Sequence, residues 1–175
     1  MGSALVEGEL PLPGEVCDIF GGTTRFSNDA GRVAVLLAMG LELVLIQQFD
    51  DATGPHGDIK VEVFGDGSSR ATSESYTATS YVIIFGGWSN STNAIARLDE
   101  HGDDRAVGPR HPVEMSRVYH LRIERQGNRI TSWADDVELA HMDDPQPLEG
   151  RGHDHFAFND WEADLWFDNL RIEPL

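Results

Sequence analysis

Cysteine and lysine are almost absent from this sequence: each occurs once in 175 residues, as Cys17 and Lys60. One thiol excludes an intrachain disulfide and a cysteine-built zinc site. No nucleophile signature surrounds Cys17, so it reads as a small packed side chain. Basic residues are scarce as a group, 13 Lys and Arg against 30 Asp and Glu, for a net charge of -17. Nucleic acid and anionic membrane surfaces both need a basic footprint, so neither is expected as a partner. The excess acid favours hydration and solubility. The use of arginine in place of lysine suggests a GC-rich host genome, and the acidity a salt-adapted one; neither bears on activity.

Long apolar runs are also missing. "LLAMGLELVLI" (36–46) is interrupted by Gly40 and Glu42 and is too short to span a bilayer. The opening "MGSALVEGELPLPGE" has no basic segment followed by an apolar core, so it does not read as a secretory signal. Localisation is otherwise open, with a soluble prokaryotic protein as the expectation.

What is present is turn chemistry and alternation. Hydrophobic residues make up 40%, with 18 Gly and 8 Pro, as in an ordered domain rich in turns. "DIKVEVFGDG" (58–67) sets Ile59, Val61 and Val63 against Lys60 and Glu62. "YVIIFGGW" (81–88) is apolar on both faces, as a central strand is. "YHLRIERQGNRITSWADDVELAHM" (119–142) reads as a three-strand meander turning at 126–128 and at Asp135-Asp136. Residues 155–161 and 164–173 add two more strands. Residues 33–46 are helical by composition, but the β-branched residues and Gly40 favour two strands at least equally. Period two bounded by turn residues predicts a single all-β domain over 1–175, an antiparallel two-sheet sandwich.

Residues 119–173 carry a resemblance. "YHLRIERQGNRITSWADDVEL", "DPQPLEGRGHDHFAFNDW" and the closing "FDNLRI" are similar to the C-terminal half of concanavalin A-like jelly rolls, in particular the laminin-G-like and 3-keto-disaccharide-hydrolase-like branch. Residues 81–101 fit more loosely and residues 1–57 hardly at all. The resemblance implies a jelly roll whose concave face is the usual sugar groove. It departs from the family at Asp135-Asp136, where Asn-Gly or Asp-Gly is common. Asp tolerates positive φ less well than Gly, so a longer turn or another turn type is expected there.

Alternation assigns faces within that fold. In "NAIARLDEH", Ala94, Ala96 and Leu98 form the expected inward set; Asn93, Arg97, Asp99 and His101, with Ile95 among them, share the opposite face. Ile130, Ser132 and Ala134 are expected inward, with Thr131 and Trp133 outside. Sugars need an apolar platform and planar polar groups, so Trp88, Asn93, Arg97, Asp99, His101 and Trp133 form the candidate carbohydrate-binding patch. The alternative for the same residues is a salt-bridged sheet face, with Arg97 pairing Asp99 or Glu124.

Catalysis is the second hypothesis. A retaining glucanase of this fold carries a Glu-x-Asp-x-x-Glu-like strand, and "LDEHGDD" lacks that spacing. Elimination or hydrolysis of a keto-sugar needs a base near an acidic C–H, which makes His101 and Glu100 the acid/base candidates. A scaffold or oligomerising module without a small ligand is the third. The fold class also implies a structural Ca²⁺ tying terminal strands, for which Asp168 is the candidate ligand. "DEHGDD" (99–104) and "HDHFAFND" (153–160) match no EF-hand or zinc helix motif. His153 and His155 share one strand face and suit a divalent metal only if an acid joins them. "NST" (90–92) is formally a glycosylation acceptor.

Overall fold

The computed structural model describes residues 6–9, 17–18, 37–45, 58–71, 76–114, 117–150, 152–161 and 165–174. The first strands along the chain are β1 (Val6–Glu9), β2 (Cys17–Asp18), β3 (Leu37–Leu45), β4 (Asp58–Gly65), β5 (Arg70–Ala71) and β6 (Tyr76–Thr77). β7 (Tyr81–Gly86), β8 (Thr92–Arg97) and β9 (Ala106–Val107) follow. The set closes with β10 (Val118–Gln126), β11 (Arg129–Ala134), β12 (Val137–Asp143), β13 (His155–Trp161) and β14 (Leu165–Pro174). They form two six-stranded sheets and one ribbon. The first sheet has the order β1-β13-β4-β7-β8-β9 and the second β12-β11-β10-β3-β14-β2; β5 and β6 pair alone. Every pairing within the sheets is antiparallel. This is a jelly-roll sandwich.

Period-two alternation builds the core between the sheets. Ile59, Val61, Val63, Tyr81, Ile83, Phe85, Ile95, Phe156 and Phe158 come from the first sheet; Tyr119, Leu121, Ile123, Ile130, Ala134 and Leu139 come from the second. Burying one such large apolar side chain contributes about 1.5–3 kcal/mol. The expected meander 119–142 is β10, β11 and β12, and the doubly apolar 81–86 is the central strand β7, buried throughout. Within residues 33–46, the described part is one nine-residue strand, β3, not a helix and not two strands.

The hairpin at Asp135-Asp136 corrects the expectation of a longer or different turn. Ala134 pairs Val137, leaving a two-residue loop with φ of 47° at Asp135 and 65° at Asp136. Positive φ at both central residues is the type I′ pattern. Strand ends opposite the turn offset its cost. The Asp135 carboxylate accepts His120 N–H at 2.9 Å and pairs with Arg117 at 2.8 Å.

Across β4, β7 and most of β8 the outward face of the first sheet is as buried as the inward face. Lys60, Glu62, Ser80, Val82, Ile84, Ala94, Ala96 and Asn159 all lie on it and all are buried. A strand covered on both sides cannot report its inward face by polarity alone. That fact governs how the site is built.

Candidate functional site

The opening between β7 and β8 is a left-handed turn. After Gly86 (φ 77°), Trp88, Ser89 and Asn90 have φ of 48°, 56° and 58°. Three successive L-residues there cost about 1–2 kcal/mol each, so the surroundings must fix them. The Asn-rich sequence does so. Asn90 clamps Val113, donating to its carbonyl at 2.8 Å and accepting its N–H at 2.7 Å. Asn93 accepts Gly86 N–H at 3.1 Å and donates to the carbonyls of Pro109 and His111 at 2.9 and 3.1 Å. Ser91 bonds back to the Trp88 carbonyl at 2.6 Å. The turn thereby presents Trp88 39% exposed.

Segment 98–105 then doubles back over the outward face. It leaves β8 at Leu98, whose N–H reaches Ser80 O at 2.9 Å, and arrives beside Trp88. Asp99 caps the bend by accepting His101 N–H at 2.9 Å. Glu100 points down to the sheet and pairs with Lys60 at 2.8 Å; Lys60 also faces Asp58 at 3.4 Å. His101 sets its ring edge-on to Trp88, centroids 5.8 Å apart, with Nε2 3.3 Å from Glu100. Arg105 lies over the same indole at 4.8 Å and donates to the Gly102 carbonyl at 3.1 Å. An exposed aromatic flanked by carboxylate, imidazole and guanidinium groups can stack on a sugar's C–H face and bond its hydroxyls.

The six residues expected to form one patch are divided. Trp88, Asp99 and His101 come together. Asn93 and Arg97 do not: they lie on the inward side of β8 with Ile95, which belongs to the main core. Ala94 and Ala96, expected inward, occupy the outward face with Val82 and Ile84, and Leu98 is 38% exposed. The assignment inverts because both faces are buried and alanine suits either; the large Ile95 decides the orientation. Asn93 is 1% exposed and serves the turn. Arg97 pairs neither Asp99 nor Glu124 but Asp144, through Nε at 2.8 Å. Glu124 is taken by Arg122.

Trp133 points away from the core, as expected, but in the second sheet. It stands opposite Arg122 and Glu138 in register, and the Arg122 guanidinium lies 3.8 Å from its ring centre. The guanidinium therefore covers one face of the ring. Asp168 pairs Glu42 along the backbone, but its side chain, like those of Cys17, Trp161 and Trp166, lies outside the described residues. His153 and His155 are engaged separately, with the Phe64 carbonyl at 3.0 Å and Asp154 at 2.9 Å. Asn90 of "NST" is committed to Val113.

Arg105 and Lys60 escaped the sequence reading. Arg105 stands just after a run of acids, where solvent exposure is the natural expectation. Lys60 sits in a pattern that reads as a wet face, "DIKVE". The only hint was its rarity.

No known protein family matches the chain, and no curated protein does. Solved structures do. The carbohydrate-binding module CBM66 from Bacillus subtilis is 15% identical with a TM-score of 0.56, covering 98% of this chain and 82% of that one. A tetrameric galectin from the ball sponge Cinachyrella sp. is 9% identical, TM-score 0.54, covering 97% and 99%. Sheep galectin-11, in complex with glycerol, is 10% identical, TM-score 0.51, covering 93% and 98%. At these identities the likeness concerns the jelly-roll fold. Among the described residues no helix is long and apolar enough to cross a membrane.

Proposed function

We propose that this protein is a carbohydrate-binding module whose ligand meets Trp88, with Asp99, His101 and Arg105 as its polar contacts. The observation that carries the reading is the exposed Trp88, held in a costly left-handed turn by two buttressing asparagines. The sugar-binding proteins of the same fold support it. The net charge of -17 favours neutral glycans over uronates or sulfated sugars. The test is a glycan array followed by calorimetry on the best binder. Trp88→Ala is expected to weaken binding at least about tenfold, or 1.4 kcal/mol, while the melting temperature stays near that of the wild type. Equal affinity in the two proteins would remove Trp88 from the site.

A second reading is catalytic, with His101 as base and Glu100 beside it in elimination or hydrolysis of a keto-sugar. Its support is the 3.3 Å approach of Glu100 to His101 and the resemblance of residues 119–173 to the 3-keto-disaccharide-hydrolase-like branch of concanavalin A-like proteins. Turnover of a keto-glycoside panel that vanishes in His101→Gln is its expected result. A wild type inactive across that panel ends it.

A further inference from the structure

We propose that Lys60 is a positioning residue for the Trp88 site: through Glu100 it fixes segment 98–105 over the first sheet and seats His101 and Arg105 against the indole. The role rests on reading Trp88 as the ligand platform, but the contact it sets can be measured without a ligand.

Lysine side chains belong at the surface, and a buried ammonium persists where carboxylates compensate it. The single lysine of this chain is 4% exposed, with Glu100 at 2.8 Å and Asp58 at 3.4 Å. Those two carboxylates come from different parts of the site. Asp58 belongs to the sheet and approaches the turn: a Cβ added at Gly87 would lie 3.6 Å from its Oδ2. Glu100 belongs to the segment that doubles back.

The distances across the sheet explain the reach. Lys60 pairs with Ile84, and Ile84 with Ala94, so β4 stands two strands from β8. That is about 10 Å at the usual strand spacing. Ala94 and Ala96 keep the outward face low where the segment crosses. Among the described residues, the hydrogen bonds of 99–105 stay within 97–105: Asp99 to Arg97, His101 and Gly102 to Asp99, and Arg105 to Gly102. Among the described residues, the ion pair that links this stretch to the sheet is Lys60–Glu100. The other oxygen of Glu100 is the one that faces His101 Nε2. One carboxylate thus holds the segment down and orients the imidazole.

The experiment reads the His101–Trp88 contact by fluorescence. Protonated imidazole against an indole edge quenches it, so the contact is read as a loss of emission on acidification. The groups around this imidazole are Glu100, Asp99 and Arg105, so amplitude, not midpoint, is the readout. Wild-type emission is expected to fall on acidification by an amount absent from Trp88→Phe and from His101→Gln. Glu100→Ala and Lys60→Met are expected to lose more than half of that amplitude and about tenfold in glycan affinity, and Lys60→Arg to retain both. Lys60→Met leaves two buried carboxylates and can fail to fold; Glu100→Ala leaves Lys60 paired with Asp58 and then decides. Full amplitude in folded Glu100→Ala overturns the proposal. Lost amplitude in a protein whose wild type binds no glycan keeps the positioning role and ends the carbohydrate reading.

Discussion

Replacing Gly108 by alanine is expected to be among the most damaging single-methyl changes in this protein, costing about 3 kcal/mol or more. A Cβ at Gly108 would overlap the carbonyl oxygen of Leu139 and stand 2.9 Å from the Cα of Ala140. Both obstacles are backbone, so no side-chain rotation relieves them. Gly108 follows β9, the edge of the first sheet, and Leu139 lies in β12, the edge of the second. The sheets close on each other at that point, and the close approach requires a residue without a side chain. The effect also reaches the site. Gly108 N–H bonds the Asn93 carbonyl at 2.9 Å, and the Asn93 amide holds Pro109 and the left-handed turn that carries Trp88. Urea unfolding followed by tryptophan emission checks it. A midpoint equal to the wild type would show that the two backbones do not meet at Gly108.

β10 was readable because water reaches one of its faces. In β10, burial alternates strictly from Tyr119 to Arg125, and the sequence alternates with it as far as Glu124; Arg125 is buried although charged. The same logic failed on β8, where both faces are covered and polarity carries no direction. There Asn93 and Arg97 face inward because their amide and guanidinium groups find partners at the rim of the sandwich, and those partners lie about 15–50 positions away in the chain. The hairpin at Asp135-Asp136 was misjudged for a similar reason. The cost of positive φ was legible, but the compensating bonds from Arg117 and His120 were not. Trp88 and His101 were each recognised as ligand-like. Their approach depends on a segment folding back on its own sheet, which no periodicity encodes. It is fixed by a salt bridge from Lys60, forty residues before Glu100.

Asp144→Ala is the second large effect expected, about 3 kcal/mol at neutral pH, and its pH dependence tests the cause. Asp144 lies just beyond β12 and is 6% exposed. Its Oδ2 accepts the Tyr81 hydroxyl at 2.6 Å and Arg97 Nε at 2.8 Å; its Oδ1 accepts Gln146 N–H at 2.8 Å. Tyr81 in turn accepts Leu148 N–H at 3.0 Å, so one carboxylate ties the edge of the second sheet to β7 and β8 of the first. Burial pushes the Asp144 carboxyl up, but the bonds from Tyr81, Gln146 and Arg97 outweigh it and hold it below the ordinary value. Burial and the same bond push the Tyr81 hydroxyl up to about 12, so it remains a donor at any working pH. A carboxyl lowered in the folded state adds stability above its unfolded value, about 3.9, and loses it as pH falls through the folded value. The gap between wild type and Asp144→Ala is therefore expected to be full at pH 7 and to shrink below about pH 4. A gap unchanged at pH 3 would assign the loss to packing instead. Arg97 is the residue from which segment 98–105 departs, so weaker glycan binding in Asp144→Ala at neutral pH would further link this latch to the Trp88 site.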